Sequence, residues 1–156
     1  MSRSLLIDFH LEKISVDGLY LYDFANLSND VLENKHDYIQ WLFPLPEKSF
    51  FNTKCQVLDE ETLKEFQTNE DLQDSLRFAL GIMLKFYKES RHWVTKYNHN
   101  YLRISRIIRC LALVGLIEEA EEFYSFILSK VLETEVDANT LKYWDAAVKG
   151  ELPLKG

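Results

Sequence analysis

Asn98-His99-Asn100-Tyr101-Leu102-Arg103-Ile104-Ser105-Arg106-Ile107-Ile108-Arg109-Cys110-Leu111-Ala112-Leu113-Val114-Gly115-Leu116 is the stretch on which the fold turns. Tyr101, Ile104, Ile107, Ile108, Leu111 and Val114 recur at intervals of three and four, so a helix gathers them on one apolar face, with Leu102 and Leu113 behind it. Asn98 can cap that helix, and Gly115 is the residue type that closes one in a left-handed turn. Helical spacing resumes at Leu116 or Ile117 and runs to about Leu132. So short a join between two amphipathic helices predicts an antiparallel hairpin.

The rest of the chain has the same character. Three prolines and five glycines in 156 residues leave little room for strands and turns. Ser28-Asn29-Asp30 offers a cap for a helix running to about Leu42, where Pro44 and Pro46 forbid continuation, and residues 45–57 read as an irregular loop. Asp59 caps a short helix through Phe66. Thr68, with Asp71 three residues on, resembles a capping box that opens a long helix to about His92, with Leu72, Leu76, Leu80, Met83 and Leu84 along one side. Asp137 to Lys149 reads as a last helix with Asp137 as its cap and Gly150 as its stop, and Leu19 to Phe24 leans to a short helix. The expectation is an all-α fold: one domain over residues 1–156, a bundle of about five to seven helices ending in the antiparallel hairpin.

A chain of 156 residues buries about two thirds of the surface its unfolded form exposes, so no disulfide or structural metal is needed. Cys55 and Cys110 are far apart and lack metal-type spacing, which suggests reduced thiols in an intracellular, cytoplasmic setting. The opening Met1-Ser2-Arg3-Ser4-Leu5-Leu6-Ile7-Asp8 has too short an apolar run for a signal peptide, and Cys110 to Ile117 is far short of a membrane span. The net charge of −7 argues against general nucleic-acid binding. Yet Lys85 to Arg109 holds Lys85, Lys88, Arg91, Lys96, Arg103, Arg106 and Arg109 against Glu89 alone, and so carries +6 while the remainder carries −13. That basic segment either packs beside the acidic stretch from Glu118 to Glu135 or forms an anion-binding patch. Glu118-Glu119-Ala120-Glu121-Glu122 reads as the solvated face of a helix, and Trp93 and Tyr97 as core or rim packing.

A second polar-aromatic segment, His36-Asp37-Tyr38-Ile39-Gln40-Trp41-Leu42-Phe43-Pro44, shares the first one's mixture. On a continuous helix Val31, Leu32, Tyr38, Ile39, Leu42 and Phe43 share one face, Asp37 and Trp41 point nearly opposite, and His36 and Gln40 lie one turn apart on the flank. Both helices should then be covered on more than one side. His99, Arg103, Arg106 and Cys110 form a stripe in which buried arginines need an acid or an anion. A structural reading joins Asp37 and Gln40 to Arg103 and Arg106 in one polar network. A functional reading makes His36, Gln40, Trp41, His99, Asn100, Arg103 and Arg106 a ligand site: His99 and Asn100 sit where helix amides favour an anion, and arginine grips phosphate or carboxylate with a two-pronged fork. Tyr38, Trp41 and Tyr101 would supply apolar walls.

Enzyme chemistry finds little support. His99 and Cys110 are roughly 16 Å apart along a helix axis and so are no nucleophile and base, and no nucleophile elbow, phosphate-binding glycine loop or zinc motif occurs. His10, His36, His92 and His99 lack internal ligand spacing, so no metal, cofactor or catalytic residue is assigned.

The His36 segment preceded by Leu32-Glu33, the segment from Asn98 to Ile108, and Leu113-Val114-Gly115-Leu116 together resemble the conserved N-terminal region of the opioid growth factor receptor family. Asp17-Gly18, Asn52 and Phe86-Tyr87 look like family positions too, and the resemblance runs from about residue 17 to 130. Ser105 stands where threonine is common, and Lys88 near an expected glycine. The resemblance implies a helical domain, and in animal members a perinuclear and nuclear receptor for an enkephalin peptide, with long polar tails; this chain is more like the short single-domain members. The expected role is therefore a binding module for an anionic small molecule, a peptide or a protein partner. The alternatives are an enzyme using His36 or His99 as acid-base, and an interaction domain with no ligand site.

Overall fold

The computed structural model of the protein describes residues 4–47, 55–90, 92–94, 98–131 and 137–151. Asn52, Arg91, Lys96, Tyr97, Leu132 and Glu135, named above, lie outside the described residues. Among those described, all regular structure is helical apart from a single bridge between Val16 and Leu19. The helices are α1 (Leu5–His10), a 3-10 helix (Leu21–Asn26), α2 (Asn29–Asn34), α3 (Ile39–Leu42), α4 (Glu60–Thr68), α5 (Glu70–Glu89), α6 (Asn100–Leu113), α7 (Ile117–Val131) and α8 (Ala138–Val148). The all-α expectation holds, with more and shorter helices than the five to seven expected. Within the 156 residues taken as one domain the chain forms two compact units, residues 1–89 and 90–156.

In the first unit α5 is the spine, and α1, the 3-10 helix, α2 and α4 all pack on it. Its buried stripe is Leu72, Ser75, Leu76, Ala79, Ile82, Met83, Phe86 and Tyr87, the three-and-four spacing of one helix face. Phe9, Phe24 and Phe66 fill the space beside it with no exposed surface; each such ring stabilises the unit by about 2–3 kcal/mol through burial. α4 and α5 are separated by Asn69, whose extended backbone (φ −96°, ψ 115°) breaks the helix. Its side-chain oxygen accepts from the amides of Asp71 and Leu72 at 2.9 and 3.4 Å. Asn69, rather than Thr68, is thus the cap of α5; the Thr68 hydroxyl instead donates to the carbonyl of Lys64 within α4.

The second unit is built around α6, which packs against both α7 and α8. Gly115 has φ +89°, and two bonds close the end of α6: the Gly115 amide donates to the Ala112 carbonyl and the Leu116 amide to that of Leu111, at 3.2 and 2.9 Å. This paired closure leaves only Val114, Gly115 and Leu116 between α6 and α7, which form the expected hairpin. α7 buries Ala120, Phe123, Ile127 and Val131 while Glu118, Glu121 and Glu122 face solvent. Trp144 ties α8 to α6: its indole N–H donates to the Tyr101 carbonyl at 3.1 Å, and its ring stands edge-on to that of Tyr101 at 5.4 Å.

Candidate functional site

The two polar-aromatic segments fall in different units, the His36 segment in the first and the His99 segment in the second. The first is not the continuous helix that its spacing suggests. α2 ends at Asn34, Lys35 is extended (φ −86°, ψ 121°), and one further turn forms at Ile39–Leu42. Two side chains take over the end of α2. The Asn34 amide donates to the Asp30 carbonyl at 2.8 Å, competing with the backbone ladder. The Tyr38 hydroxyl donates to the Leu32 carbonyl at 2.8 Å, in place of the next turn's amide.

The break lets Tyr38 stack on Phe24 at 5.6 Å with no exposed surface. It also turns Val31, expected on the buried face, 42% to solvent. His36 is exposed, Gln40 is buried, and Trp41 is half-buried with its ring edge-on to Phe9 at 5.7 Å.

Asp37 finds a cation inside its own unit. The Lys35 ammonium lies 3.1 Å from Asp37 and 3.3 Å from Asp17, the first residue of the Asp17-Gly18 turn. Partial burial works to raise the Asp37 carboxyl's pKa, but the hydrogen bond and charge of Lys35 outweigh it and hold it below the usual carboxylate range. The same pairing holds Lys35 above its ordinary value against the effect of burial. Asp17-Gly18 and the His36 segment, both quoted for the family resemblance, thus meet at one ammonium.

His10 was read only for metal spacing, and the structure gives it a different place. It is 2% exposed at the end of α1, with Nε2 2.9 Å from the Trp41 carbonyl and Nδ1 2.8 Å from the Ser75 hydroxyl. One imidazole therefore links α1, α3 and α5. Burial pushes its pKa down to about 4, with the backbone of Trp41 and Leu42 acting in the opposite sense. The sequence did carry a signal: His10 follows Leu6 by four residues, and so lies on the apolar face of α1.

In the second unit the Asn98 side-chain oxygen accepts from the backbone and side-chain amides of Asn100, at 2.9 and 3.0 Å, as expected of a cap. His99 takes the position before the first turn and Asn100 is fully buried. Arg103 is buried, with Nη1 3.4 Å from the Asn100 oxygen; Arg109 is buried too, and Arg106 half-buried. Leu102, read as lying behind the main face, is 58% exposed. Cys110 lies within the field of Arg106 and Arg109, yet burial pushes its thiol up to about 12, so it is no nucleophile.

A cavity of about 460 Å³ opens at this end of α6. Asn98, His99, Tyr101, Leu102 and Ser105 form one wall, and Thr140 and Tyr143 of α8 the other. Of the residues expected from the sequence to contact a ligand, His99 lines it, and so does Tyr101, expected as an apolar wall. Thr140 and Tyr143 were missed because no local pattern says that α8 lies beside the start of α6. A larger groove, about 800 Å³, runs beside α4 in the first unit and contains none of the predicted residues. Asp59, Glu61 and Glu65 line it against Lys64 alone, an acidic excess that does not suit an anion. Among the described residues no group of three or more histidine, cysteine or acidic side chains is placed to hold a metal, and no helix is long and apolar enough to cross a membrane.

Residues 4–90 match the family described as the opioid growth factor receptor (OGFr) conserved region. The mouse (Mus musculus) opioid growth factor receptor-like protein 1 is 29% identical over 136 residues, covering 74% of this chain and 29% of the mouse protein. The rat (Rattus norvegicus) opioid growth factor receptor is 31% identical over 121 residues, covering 66% of this chain and 21% of the rat protein. The Xenopus tropicalis opioid growth factor receptor-like protein 1 is 28% identical over 155 residues, covering 85% of this chain and 29% of its own length. Coverage of 85% necessarily takes in both polar-aromatic segments, whereas the family match stops before the second. The chain spans under a third of the length of these curated relatives. No solved structure matches it. With more than half of its residues inside the family's conserved region, the chain belongs to the opioid growth factor receptor family.

Proposed function

We propose that the protein is a non-enzymatic binding module that takes an anionic group, of a peptide or a small molecule, at the start of α6. The observation that carries this reading is the cavity of about 460 Å³ lined by His99, Leu102, Ser105 and Tyr143. Its size lies within the range of about 300–1,000 Å³ typical of ligand pockets. Several features converge there. The dipole at the start of a 14-residue helix favours negative charge. Arg103 and Arg106 follow within two turns and add positive potential. Leu102 and the tyrosine rings offer apolar wall, and Ser105, Thr140 and His99 offer hydrogen-bonding groups. The relatives are named as receptors for a growth factor, which also favours binding over bond chemistry.

The test is a titration of the whole chain, followed by amide NMR, with inorganic phosphate and with a short acidic peptide bearing a free carboxylate. The reading expects shifts at Asn98–Ser105 and Tyr143. His99→Ala should weaken binding about ten-fold, near the 1.4 kcal/mol expected from one lost polar contact to a charged ligand. Absence of shifts with both probes, together with an Arg103→Ala variant that only unfolds, would make the segment a scaffold.

A further inference from the structure

We infer that His10 is an acid-sensitive latch: protonation of its ring releases α1 from α3 and α5 while the α4–α5 pair stays folded. The geometry rests on counting protons. The Trp41 carbonyl can only accept, so Nε2 must carry a hydrogen and donate to it across 2.9 Å. In the neutral ring Nδ1 is then a bare acceptor, and the Ser75 hydroxyl 2.8 Å away is the donor within its reach. That hydroxyl also lies 2.7 Å from the Leu72 carbonyl and has one proton for two acceptors. A second ring proton on Nδ1 turns the hydroxyl towards Leu72 and leaves a full positive charge inside the unit.

Among the described residues no acidic side chain meets the ring to answer that charge. The ring stands edge-on to Phe9 at 5.7 Å and to Phe66 at 5.0 Å, and its remaining partners are the Ser75 hydroxyl and the backbone of Trp41 and Leu42. The charged groups of the packed elements lie elsewhere. Glu60, Glu61, Lys64 and Glu65 of α4 are exposed, as are Glu70, Asp71 and Asp74 of α5. α3 has no titratable residue, and Asp8, the one other titratable group of α1, is half-buried two residues away. A buried cation without a carboxylate is unfavourable, so acid favours the state in which the imidazole reaches water.

Burial holds the closed ring near pKa 4, against 6.5 in water. Stability from the neutral ring is therefore complete above about pH 6.5 and is lost as pH falls towards 4.

α1 is the element that can let go. It has only six residues, so it cannot stand alone as a helix. Apart from apolar packing its first turn is tied by the Gln56 side-chain oxygen, which accepts from the Leu5 amide at 2.7 Å. Its last turn is tied by His10. Release uncovers Leu6 and Phe9, which have no exposed surface in the closed state.

Hydrogen exchange of the whole chain, corrected for intrinsic rates, reads the latch directly. Between about pH 7.5 and about pH 5.5 the opening constant for the α1 amides should rise about ten-fold, because only the open ring titrates in that range. Amides of α5 should keep their protection, and His10→Gln should show no pH dependence in α1. Unchanged α1 protection, equal loss in α5, or the same dependence in His10→Gln would each overturn the inference. Should His10→Gln not fold, an NMR titration of the wild-type ring decides. A ring still neutral at about pH 5.5 in the protected state supports the latch; titration at the ordinary value with α1 protected refutes it.

Discussion

Gly81 and Gly115 invite the same substitution and should respond with opposite signs. Gly81 lies on the exposed side of α5, and a methyl group built on it would meet nothing within 4 Å. Alanine there should stabilise the chain by about 0.8–1 kcal/mol, the difference in helix propensity. Gly115 also has open space around the missing methyl, but its φ is +89°. Alanine in that left-handed conformation costs about 1–2 kcal/mol, offset in part by the stiffer unfolded chain. Relaxing the backbone instead would forfeit the bonds from Gly115 and Leu116 that close α6. The two variants should thus differ by about 2 kcal/mol with the wild type between them. Urea unfolding followed by far-ultraviolet circular dichroism measures this: the midpoint should rise for Gly81→Ala and fall for Gly115→Ala, with similar slopes. Steric freedom is the same at both sites, so a shared sign would show that backbone conformation is not what selects glycine at 115.

Two further outcomes follow from buried groups. Tyr38→Phe keeps the ring against Phe24 but leaves the Leu32 carbonyl without the phenol, so stability should fall by about 1–3 kcal/mol in the same urea titration; an unchanged midpoint would mean that another donor closes α2 equally well. Iodoacetamide at mildly alkaline pH should leave Cys110 unmodified in the native chain, since burial pushes its thiol up to about 12, and label it once denaturant is added. Native labelling seen by mass spectrometry would place that part of α6 at the surface.

The parts legible in the sequence are those whose punctuation is local. Gly115 ends α6 because only backbone geometry within one turn is involved, and Asn98 and Asp59 cap the helices that follow them through amides two or three residues away. Apolar spacing likewise marked the buried faces of α6 and α7. The helix proposed from Ser28 to Leu42 failed for the complementary reason. No proline or glycine interrupts it before Pro44, so propensity and spacing both favour continuation.

What stops it is Tyr38. Burying that ring beside Phe24 and bonding its hydroxyl to Leu32 requires the chain to turn at Lys35, whose ammonium settles between Asp17 and Asp37.

The candidate site divides in the same way. His99 and the charge near it were readable from the start of one helix, whereas Thr140 and Tyr143 reach the cavity only because Trp144 docks α8 on the Tyr101 carbonyl. His10 was visible as a residue on an apolar face, but its two partners come from residues 31 and 65 positions away. The sequence by itself determined the helical class, most caps and the family, because these depend on neighbours along the chain. Where α2 stops, which groups line the cavity and what satisfies the buried imidazole were decided by tertiary packing, which brings together groups that no local period connects.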